Sequence, residues 1–187
     1  MSKMSCYIYI NKFNLDNIAR GQKKAAETQF GRDTLNAALN CVYQLDLANM
    51  DIGVHDHGKP YFINRGDIHF NISHSGGYAA AAVCDYPVGV DIQIIKGVSD
   101  RVIEKICSDK ERQFVESFPD RDRAFMRLWS LKESYIKAIG LGMTYSMKNV
   151  NFSLNGCDVQ TGRFSNKEGF YTLRDYGKYI LAACVLI

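Results

Sequence analysis

The sequence lacks the features that mark membrane, disulfide-linked and nucleic-acid-binding proteins. No apolar run approaches the ~20 residues that a membrane helix needs, and the first ten residues do not form a signal-peptide pattern. The six cysteines include no C-x-x-C pair. The formal net charge of +3 is too small for a basic nucleic-acid-binding surface, but it is compatible with an anionic ligand or an acidic partner. We therefore predict a cytoplasmic protein with reduced core thiols that binds neither membranes nor nucleic acid.

The composition is that of a globular protein with a substantial interior. With 187 residues, 47% of them hydrophobic, the chain can form one medium domain or two small halves that share a core. Strand, helix and strand patterns follow one another about twice, once up to residue 95 and once after it. This order favours an α+β fold of two similar halves, residues 1–95 and 96–187, over a doubly wound parallel sheet. A site in the cleft between the halves is the default expectation.

Hydrophobic periodicity and turn residues place the main elements. The patterns predict a strand at 5–10, a helix at 29–45, a hairpin at 68–84, a strand at 88–94, short helices at 102–107 and 110–117, and a long helix at 120–139. Asp120 is placed to cap the long helix and Gly140 to end it. Its buried stripe is predicted to include Trp129 and the aliphatic stem of Lys132. After residue 149 we expect short strands, with one turn at Asn155-Gly156.

The first motif with possible chemistry is Gly89-Val90-Asp91-Ile92-Gln93, on the predicted strand at 88–94. An aspartate between β-branched residues holds a carboxylate in a fixed place. Mg²⁺ favours one or two such carboxylates together with water and phosphate oxygens. The motif is short, and by itself it is more typical of an aspartate on the solvent face of an ordinary strand.

The second motif is the helical run from Trp129 to Lys137. Glu133 and Lys137 are four residues apart, so their side chains leave the same face of the helix. This spacing is common in surface ion pairs, which contribute only a few tenths of a kcal/mol. It also suits a carboxylate that serves as metal ligand or general base next to a lysine that faces phosphate oxygens.

The third motif is a polar cluster, Ser73, His74 and Ser75, which ends a predicted strand and opens a glycine turn. Hydroxyls, an imidazole and turn amides are all hydrogen-bond donors, so such a cluster can hold a phosphate. Alternatively, the serines bond the backbone of the turn and the histidine is solvated. Nucleophilic catalysis by either serine is disfavoured, because no orienting Asp/His pair accompanies them.

The fourth motif is Gly58-Lys59-Pro60. The proline stiffens the segment and gives Lys59 a defined direction, as a point-charge contact with a phosphate requires. A plain loop has the same composition. His55 and His57 lie just before it and, with no further ligand nearby in the sequence, they are interpreted as solvated.

In their order and approximate spacing, these four motifs resemble the Sfp-type 4′-phosphopantetheinyl transferases over residues 58–142. The resemblance implies a pseudo-dimer of two similar α+β halves within one monomeric chain, with coenzyme A in the cleft between them. It also implies a magnesium-dependent enzyme that transfers the 4′-phosphopantetheine arm of coenzyme A to a serine of an apo acyl or peptidyl carrier protein. The released product is adenosine 3′,5′-bisphosphate.

The same resemblance assigns roles to individual residues. Asp91 and Glu133 are expected to ligate Mg²⁺ beside the pyrophosphate of coenzyme A, and Glu133 to act as the general base. Lys137 is expected to contact the pyrophosphate and to stabilise the transition state. The further phosphate contacts that we expect are Lys59, Ser73, His74 and, near the amino end, Arg32 with Lys23 and Lys24.

Gln93 departs from the family pattern, since many relatives carry an acidic residue two positions after the metal-binding aspartate. Glutamine can still offer an oxygen to the metal or orient a metal-bound water, so we predict a metal site with one formal charge fewer. The departure leaves a rival open, a non-catalytic coenzyme A-binding protein with a degenerate metal site. A kinase or nuclease is disfavoured because the sequence has no P-loop, no kinase glycine loop and no basic stripe.

Overall fold

The computed structural model describes residues 4–150, Phe152 and residues 169–187. The strands are β1 Cys6–Lys12, β2 Ile52–Val54, β3 Pro60–Phe62, β4 His69–Ser75, β5 Tyr78–Cys84, β6 Val88–Ile94, β7 Gly169–Asp175 and β8 Tyr179–Leu186. The α-helices are α1 Lys23–Tyr43, α2 Asp100–Ile106, α3 Asp109–Ser117 and α4 Arg121–Ile139. None of the helices in these ranges is long and apolar enough to cross a membrane.

Two three-stranded antiparallel sheets, each packed against one long helix, dominate the described residues, and β2 and β3 form a separate two-stranded sheet. The first sheet has the order β1-β5-β4 and packs against α1, and the second has the order β6-β8-β7 and packs against α4. In both, an edge strand comes first in the chain, the long helix follows, and a hairpin then supplies the other edge and the central strand. This repeat confirms the predicted α+β fold of two similar halves.

The chain passes from the first sheet to the second between Cys84 and Val88. Strand β6 pairs with β8, from Val88 opposite Val185 to Ile94 opposite Tyr179. The sequence-based division at residue 95 put this strand in the first half, because its pairing partner lies at the far end of the chain and no local pattern reveals it. As a division into domains, the boundary at residue 95 stays a prediction.

Glycines allow the long helices to approach their sheets closely. A Cβ atom on Gly89 would lie 2.0 Å from the carbonyl oxygen of Ser134, so α4 can pack against β6 only because position 89 has no side chain. In the first half, a Cβ atom on Gly31 of α1 would lie 2.7 Å from the side chain of Ile72 on β4. The approach at Gly89 brings the side chains of α4 next to those of β6.

The two sheets meet along their edge strands β4 and β6, through side chains rather than through backbone pairing. The backbone N–H groups of Val90, Ile92 and Ile94 donate to the side-chain oxygens of Asn71, Ser73 and Ser75, respectively, at 2.9, 3.2 and 3.2 Å. We call these six residues the seam. The polar face of β4 thus satisfies the free N–H groups of a neighbouring edge strand, which removes them from water without an unpaired donor.

The predicted elements are confirmed with shifted ends, and one detail of α4 is wrong. The carboxylate of Asp120 accepts a hydrogen bond from the N–H of Arg123, and Gly140 ends α4 with φ 75°. Lys132 was expected to bury only its stem, but its whole side chain is 0% exposed. Trp129 is only partly buried. The predicted turn at Asn155-Gly156 lies outside the described residues.

Candidate active site

Asp91 lies at the centre of the seam and is 1% exposed, which excludes the interpretation of an aspartate on a solvent face. Its Oδ1 atom accepts hydrogen bonds from the hydroxyl of Ser73 at 3.0 Å and from the ammonium of Lys137 at 2.7 Å. Its Oδ2 atom is buried and has no hydrogen-bond partner within the described part of the chain. Burying a carboxylate oxygen without a donor is unfavourable. A cation bound at Oδ2 would therefore satisfy this oxygen.

Lys137 of α4 pairs with Asp91 across two elements rather than with Glu133 along its own helix. Its ammonium donates to Oδ1 of Asp91, to the hydroxyl of Ser73 at 3.0 Å and to the carbonyl of Val90 at 3.1 Å. An ammonium has three hydrogen-bond donors, and these contacts use all of them. The alternative of a simple surface ion pair between Glu133 and Lys137 is thus wrong. The predicted contact of Lys137 with pyrophosphate requires an exchange of partners and stays a prediction.

Glu133 lies one helical turn before Lys137 and is half-buried. Its burial raises the pKa of the carboxyl, the charge of Asp91 raises it further, and the charge of Lys137 lowers it. A second carboxylate therefore shares the electrostatic environment of Asp91, as the family resemblance implies. A carboxyl whose pKa is raised towards neutrality is better suited to accept a proton during a reaction.

Gln93 follows Asp91 on the same face of β6. Its Nε2 atom lies 3.5 Å from Oδ1 of Asp91, and its Oε1 atom accepts a hydrogen bond from the hydroxyl of Ser75 at 3.4 Å. The amide nitrogen, which cannot bind a cation, is thus the atom that faces the carboxylate. Direct metal binding by Gln93 requires its amide group to turn over, so its role as a metal ligand stays a prediction.

The carboxylate oxygens gathered here suit a hard divalent cation that is bound together with a phosphate. In phosphoryl-transfer sites Mg²⁺ takes one or two carboxylates and completes its shell with water and substrate oxygens. Asp91 and Glu133 supply two carboxylates, one of them with an oxygen that lacks a partner in the described residues. No group of three or more His, Cys, Asp or Glu side chains suited to a metal occurs in the described ranges. A cation at this place therefore needs oxygens from a ligand or from water.

Ser73 and His74, both predicted to contact phosphates, project from opposite faces of β4. The hydroxyl of Ser73 donates to Asp91 and accepts from Lys137 and from the backbone of Ile92, which uses its full capacity of one donor and two acceptors. The Nδ1 atom of His74 lies 3.8 Å from the carboxylate of Glu27 on α1. The structure thus brings Ser73 to the carboxylate site and His74 to α1, which also carries the exposed Arg32.

Lys59 has a structural contact that sequence reasoning missed, since it binds the end of α4. Its ammonium donates to the carbonyl of Ala138 at 2.7 Å and to that of Val88 at 3.1 Å. A cation is favoured at the carboxyl end of a helix, where carbonyl groups are free and the helix dipole is negative. Burial lowers the pKa of Lys59 to about 8.

Lys59 also lines a cavity of about 520 Å³ between the two halves. First-half residues around it include His55, Tyr61 and Phe70, and second-half residues include Ile139 and Gly140. His55 is stacked on Tyr61 at 4.3 Å, and both His55 and His57 are exposed, as predicted. The cavity reaches the last turn of α4 at Ala138, the residue that follows Lys137.

Comparison with known proteins gives the family of this chain. The model of the 4′-phosphopantetheinyl transferase superfamily matches residues 87–184, from the turn before β6 into β8. The chain is 32% identical over 165 residues to the 4′-phosphopantetheinyl transferase psf-1 of Bacillus pumilus, covering 86% of this chain and 71% of that protein. It is 31% identical over 137 residues to the 4′-phosphopantetheinyl transferase Sfp of Bacillus subtilis strain 168, covering 72% of this chain and 61% of that protein.

A solved structure, that of Thermotoga maritima holo-[acyl-carrier-protein] synthase, aligns with a TM-score of 0.44 and 21% identity over 54% of this chain and 62% of that one. The family of this chain follows from the family model and the sequence relatives, without this solved structure. The chain belongs to the 4′-phosphopantetheinyl transferase superfamily. The family and the class of enzyme predicted from the four motifs are thereby confirmed.

Proposed function

We propose that this protein uses Mg²⁺ to transfer the 4′-phosphopantetheine arm of coenzyme A to a serine of an apo acyl or peptidyl carrier protein. The observation that carries this proposal is the buried carboxylate of Asp91, whose Oδ2 atom lacks a hydrogen-bond partner among the described residues, next to Glu133 and Lys137 in a chain of this family. Because one chain supplies all three side chains, a monomer is sufficient for the proposed reaction. It works in the cytoplasm, where coenzyme A and carrier proteins meet.

Asp91 and Glu133 are the residues that hold the metal ion in this proposal. The Oδ2 atom of Asp91 is the principal ligand, since Oδ1 is already occupied by Ser73 and Lys137. Gln93 assists by turning its amide oxygen towards the ion or by holding a water bound to it. When bound, Mg²⁺ supplies positive charge that offsets the charge developing on the pyrophosphate.

Glu133 accepts the proton of the attacking serine hydroxyl, directly or through one water. The serine oxygen forms a bond to the β-phosphorus of coenzyme A, and the bridging bond from that phosphorus to the adenylate side breaks. The leaving group departs as adenosine 3′,5′-bisphosphate. Without a metal, burial and the charge of Asp91 raise the pKa of the Glu133 carboxyl, so this position favours proton uptake. Lys137 stabilises the transition state because its charge lies beside the reacting phosphates once it releases Asp91.

The nucleotide end of coenzyme A is proposed to occupy the cavity between the halves. An ammonium has three donors, and the described carbonyls of Ala138 and Val88 take two of those on Lys59, so a third can meet a phosphate oxygen. His74 and Arg32 are proposed to contact the remaining phosphates from the side of α1. The cavity volume of about 520 Å³ is within the usual range for small-molecule sites.

The test is to incubate the protein with coenzyme A, Mg²⁺ and an apo carrier protein and to measure the mass of the carrier. We expect the carrier to gain one phosphopantetheine group in the presence of Mg²⁺ and none when the metal is chelated. Glu133→Gln should abolish the gain, whereas Glu104→Gln, which changes an exposed glutamate on α2, should not. A Glu133→Gln variant that transfers normally would contradict the role of Glu133.

The rival function is coenzyme A binding without catalysis, and the orientation of Gln93 favours it. The amide nitrogen of Gln93, rather than its oxygen, faces Asp91, which is unfavourable for a cation. Calorimetric titration with coenzyme A separates the two functions. The rival function is supported if coenzyme A binds equally well with and without Mg²⁺ and no arm is transferred to fatty-acid, polyketide or peptide-synthetase carriers.

A further inference from the structure

Two cysteines, Cys6 and Cys84, lie directly opposite each other in the first sheet, away from the candidate active site. Cys6 begins β1 and Cys84 ends β5, and the antiparallel register pairs them. Neither cysteine belongs to any of the four motifs, and sequence reasoning treated both as inert core thiols. Within the described part of the chain all cysteines, including these two, are unpaired.

The hydrogen-bond pattern of the β1–β5 ladder shows which kind of pair they form. The N–H of Asp85 donates to the carbonyl of Ser5, and the N–H of Phe13 donates to the carbonyl of Gly77. Hydrogen-bonded and non-hydrogen-bonded pairs alternate in an antiparallel ladder, so the neighbouring Cys6 and Cys84 form a non-hydrogen-bonded pair. The Cα atoms of such pairs are about 4.5 Å apart, inside the range of about 4.4–6.8 Å in which disulfides form.

The two side chains lie on the same face of the sheet, because residues directly opposite each other in an antiparallel ladder point the same way. A hydrogen bond between the thiols of Cys6 and Cys84 raises the pKa of Cys6 and lowers that of Cys84, so the S–H of Cys6 stabilises a thiolate on its partner. Cys84 is 0% exposed, but Cys6 is partly exposed at the start of the strand. A small oxidant therefore has a route to the pair, and the thiolate is the reactive form of cysteine.

We propose that Cys6 and Cys84 are an oxidation site that closes to a cross-strand disulfide when the protein meets a peroxide. In the first step the peroxide oxidises one thiolate of the pair to a sulfenic acid and releases one water. In the second step the other thiol attacks the sulfenic sulfur, a second water leaves, and the sulfur–sulfur bond forms. Two thiols and one hydrogen peroxide give one disulfide and two waters, so atoms and electrons balance.

The disulfide would tie the first strand of the protein to the central strand of its sheet. Cys6 and Cys84 enclose almost the whole first half, so the link restricts a long loop of the unfolded chain and stabilises the fold. Both also belong to the apolar layer in which the first sheet packs against strands β6 and β8. The proposal does not depend on the transfer reaction, because neither cysteine belongs to the four motifs or is among the residues to which the proposed function assigns a role.

The test is peptide mapping of the folded full chain after exposure to hydrogen peroxide. After the peroxide is removed, free thiols are alkylated, first in the native state and then in urea, and the protein is digested without reduction. We expect a peptide pair that joins Cys6 to Cys84, lighter by two hydrogens than the two reduced peptides and separated by dithiothreitol. We also expect the oxidised protein to unfold at a higher urea concentration than the reduced protein.

Two variants make the result specific. Cys6→Ser should remove both the joined peptide and the rise in unfolding midpoint, whereas Cys41→Ser, which changes the exposed cysteine of α1, should keep both. Protein that is unfolded before oxidation should lose the preference for this pair. The proposal is overturned if Cys6 and Cys84 are each alkylated or oxidised separately in the folded wild type, or if Cys6 is found mainly in links to another cysteine.

Discussion

Helix α4 contributes one lysine to each of two ion pairs that lie in different surroundings. On one side, the buried Lys132 donates to Glu111 of α3 at 2.7 Å and to the carbonyls of Ile106 and Met147. The Glu111 carboxylate accepts further hydrogen bonds at both of its oxygens, from Ser108 and from the N–H of Phe152. On the other side, Lys137 pairs with Asp91, whose Oδ2 atom has no partner in the described residues.

Under the proposed function, the difference separates a structural ion pair from one that serves the reaction. At Glu111 both carboxylate oxygens are satisfied by the protein itself, so the pair fixes the position of α3 against α4 and leaves nothing for a ligand. At Asp91 one oxygen remains for an outside group. Perturbed or buried charges are therefore poor indicators of a site until the hydrogen-bond capacity of each atom has been counted.

The largest expected effect is on the Lys137–Asp91 pair, in which one carboxylate oxygen lacks a hydrogen-bond partner in the described residues. Asp91→Ala should lower kcat/KM for transfer by roughly 1,000-fold or more, equivalent to about 4 kcal/mol, because it removes the principal metal ligand. The free energy of unfolding should change by only about 1 kcal/mol, since one oxygen of the carboxylate lacks a partner. Transfer assays and urea denaturation check both parts. Retained transfer, or a loss of stability as large as that of a structural pair, would contradict the comparison.

Breaking the structural pair should give the opposite result. Lys132→Met leaves the buried Glu111 without its countercharge and should lower the free energy of unfolding by roughly 3–5 kcal/mol. Lys105→Met, which changes an exposed lysine of α2, serves as the control and should stay within about 0.5 kcal/mol of the wild type. Urea denaturation measures both variants. A Lys132→Met protein as stable as its control would show that this ion pair does not hold the fold.

Lys59 is an intermediate case, since its ammonium contacts two carbonyls but forms no ion pair with a described carboxylate. Burial holds its pKa at about 8, below the ordinary value for lysine, so Lys59 is charged below that pH and loses its proton as the pH rises through it. Affinity for coenzyme A should therefore fall by roughly tenfold between pH 7 and 9.5. Lys59→Met should bind weakly at pH 7 and show no further fall. A wild-type affinity that does not change over this range would remove Lys59 from the phosphate contacts.

The smallest expected effect concerns the charge beside Asp91. Gln93→Glu adds a second carboxylate beside that of Asp91, and it should lower the Mg²⁺ concentration for half-maximal transfer by roughly threefold to tenfold. Gln93→Met, which removes the amide oxygen, should raise that concentration. A magnesium titration in which Gln93→Glu matches the wild type would argue that this position lies outside the metal environment.

Much of the fold could be predicted because its signals are local. The Asp120 cap and the Gly140 stop mark both ends of α4 within a few residues, and period-two alternation marks the β4–β5 hairpin. The seam could not be predicted in the same way. Alternation showed that Ser73 and its neighbours share one face of β4, but a polar face is ordinarily covered by water, and no local pattern indicates that another strand covers it.

Prediction of the site is limited in the same way, because sequence patterns report only local spacing. Glu111 had a visible signal, because Ser108 and Glu111 have the spacing of a capping box, which the structure contains. That spacing accounts for one oxygen of Glu111 and says nothing about Lys132, which reaches it from a different helix. Likewise, the motif around Asp91 marked an important carboxylate but not which of its oxygens is occupied.

The sequence by itself determined the family, the helices and most strands, because these depend on residue type and on short-range spacing. The tertiary structure alone decided that Lys137 pairs with Asp91 rather than with Glu133, that Ser73 supports a carboxylate, and that β6 belongs to the second sheet. These outcomes depend on contacts between residues far apart in the chain. Which donor reaches which oxygen is fixed only when helices and sheets have packed.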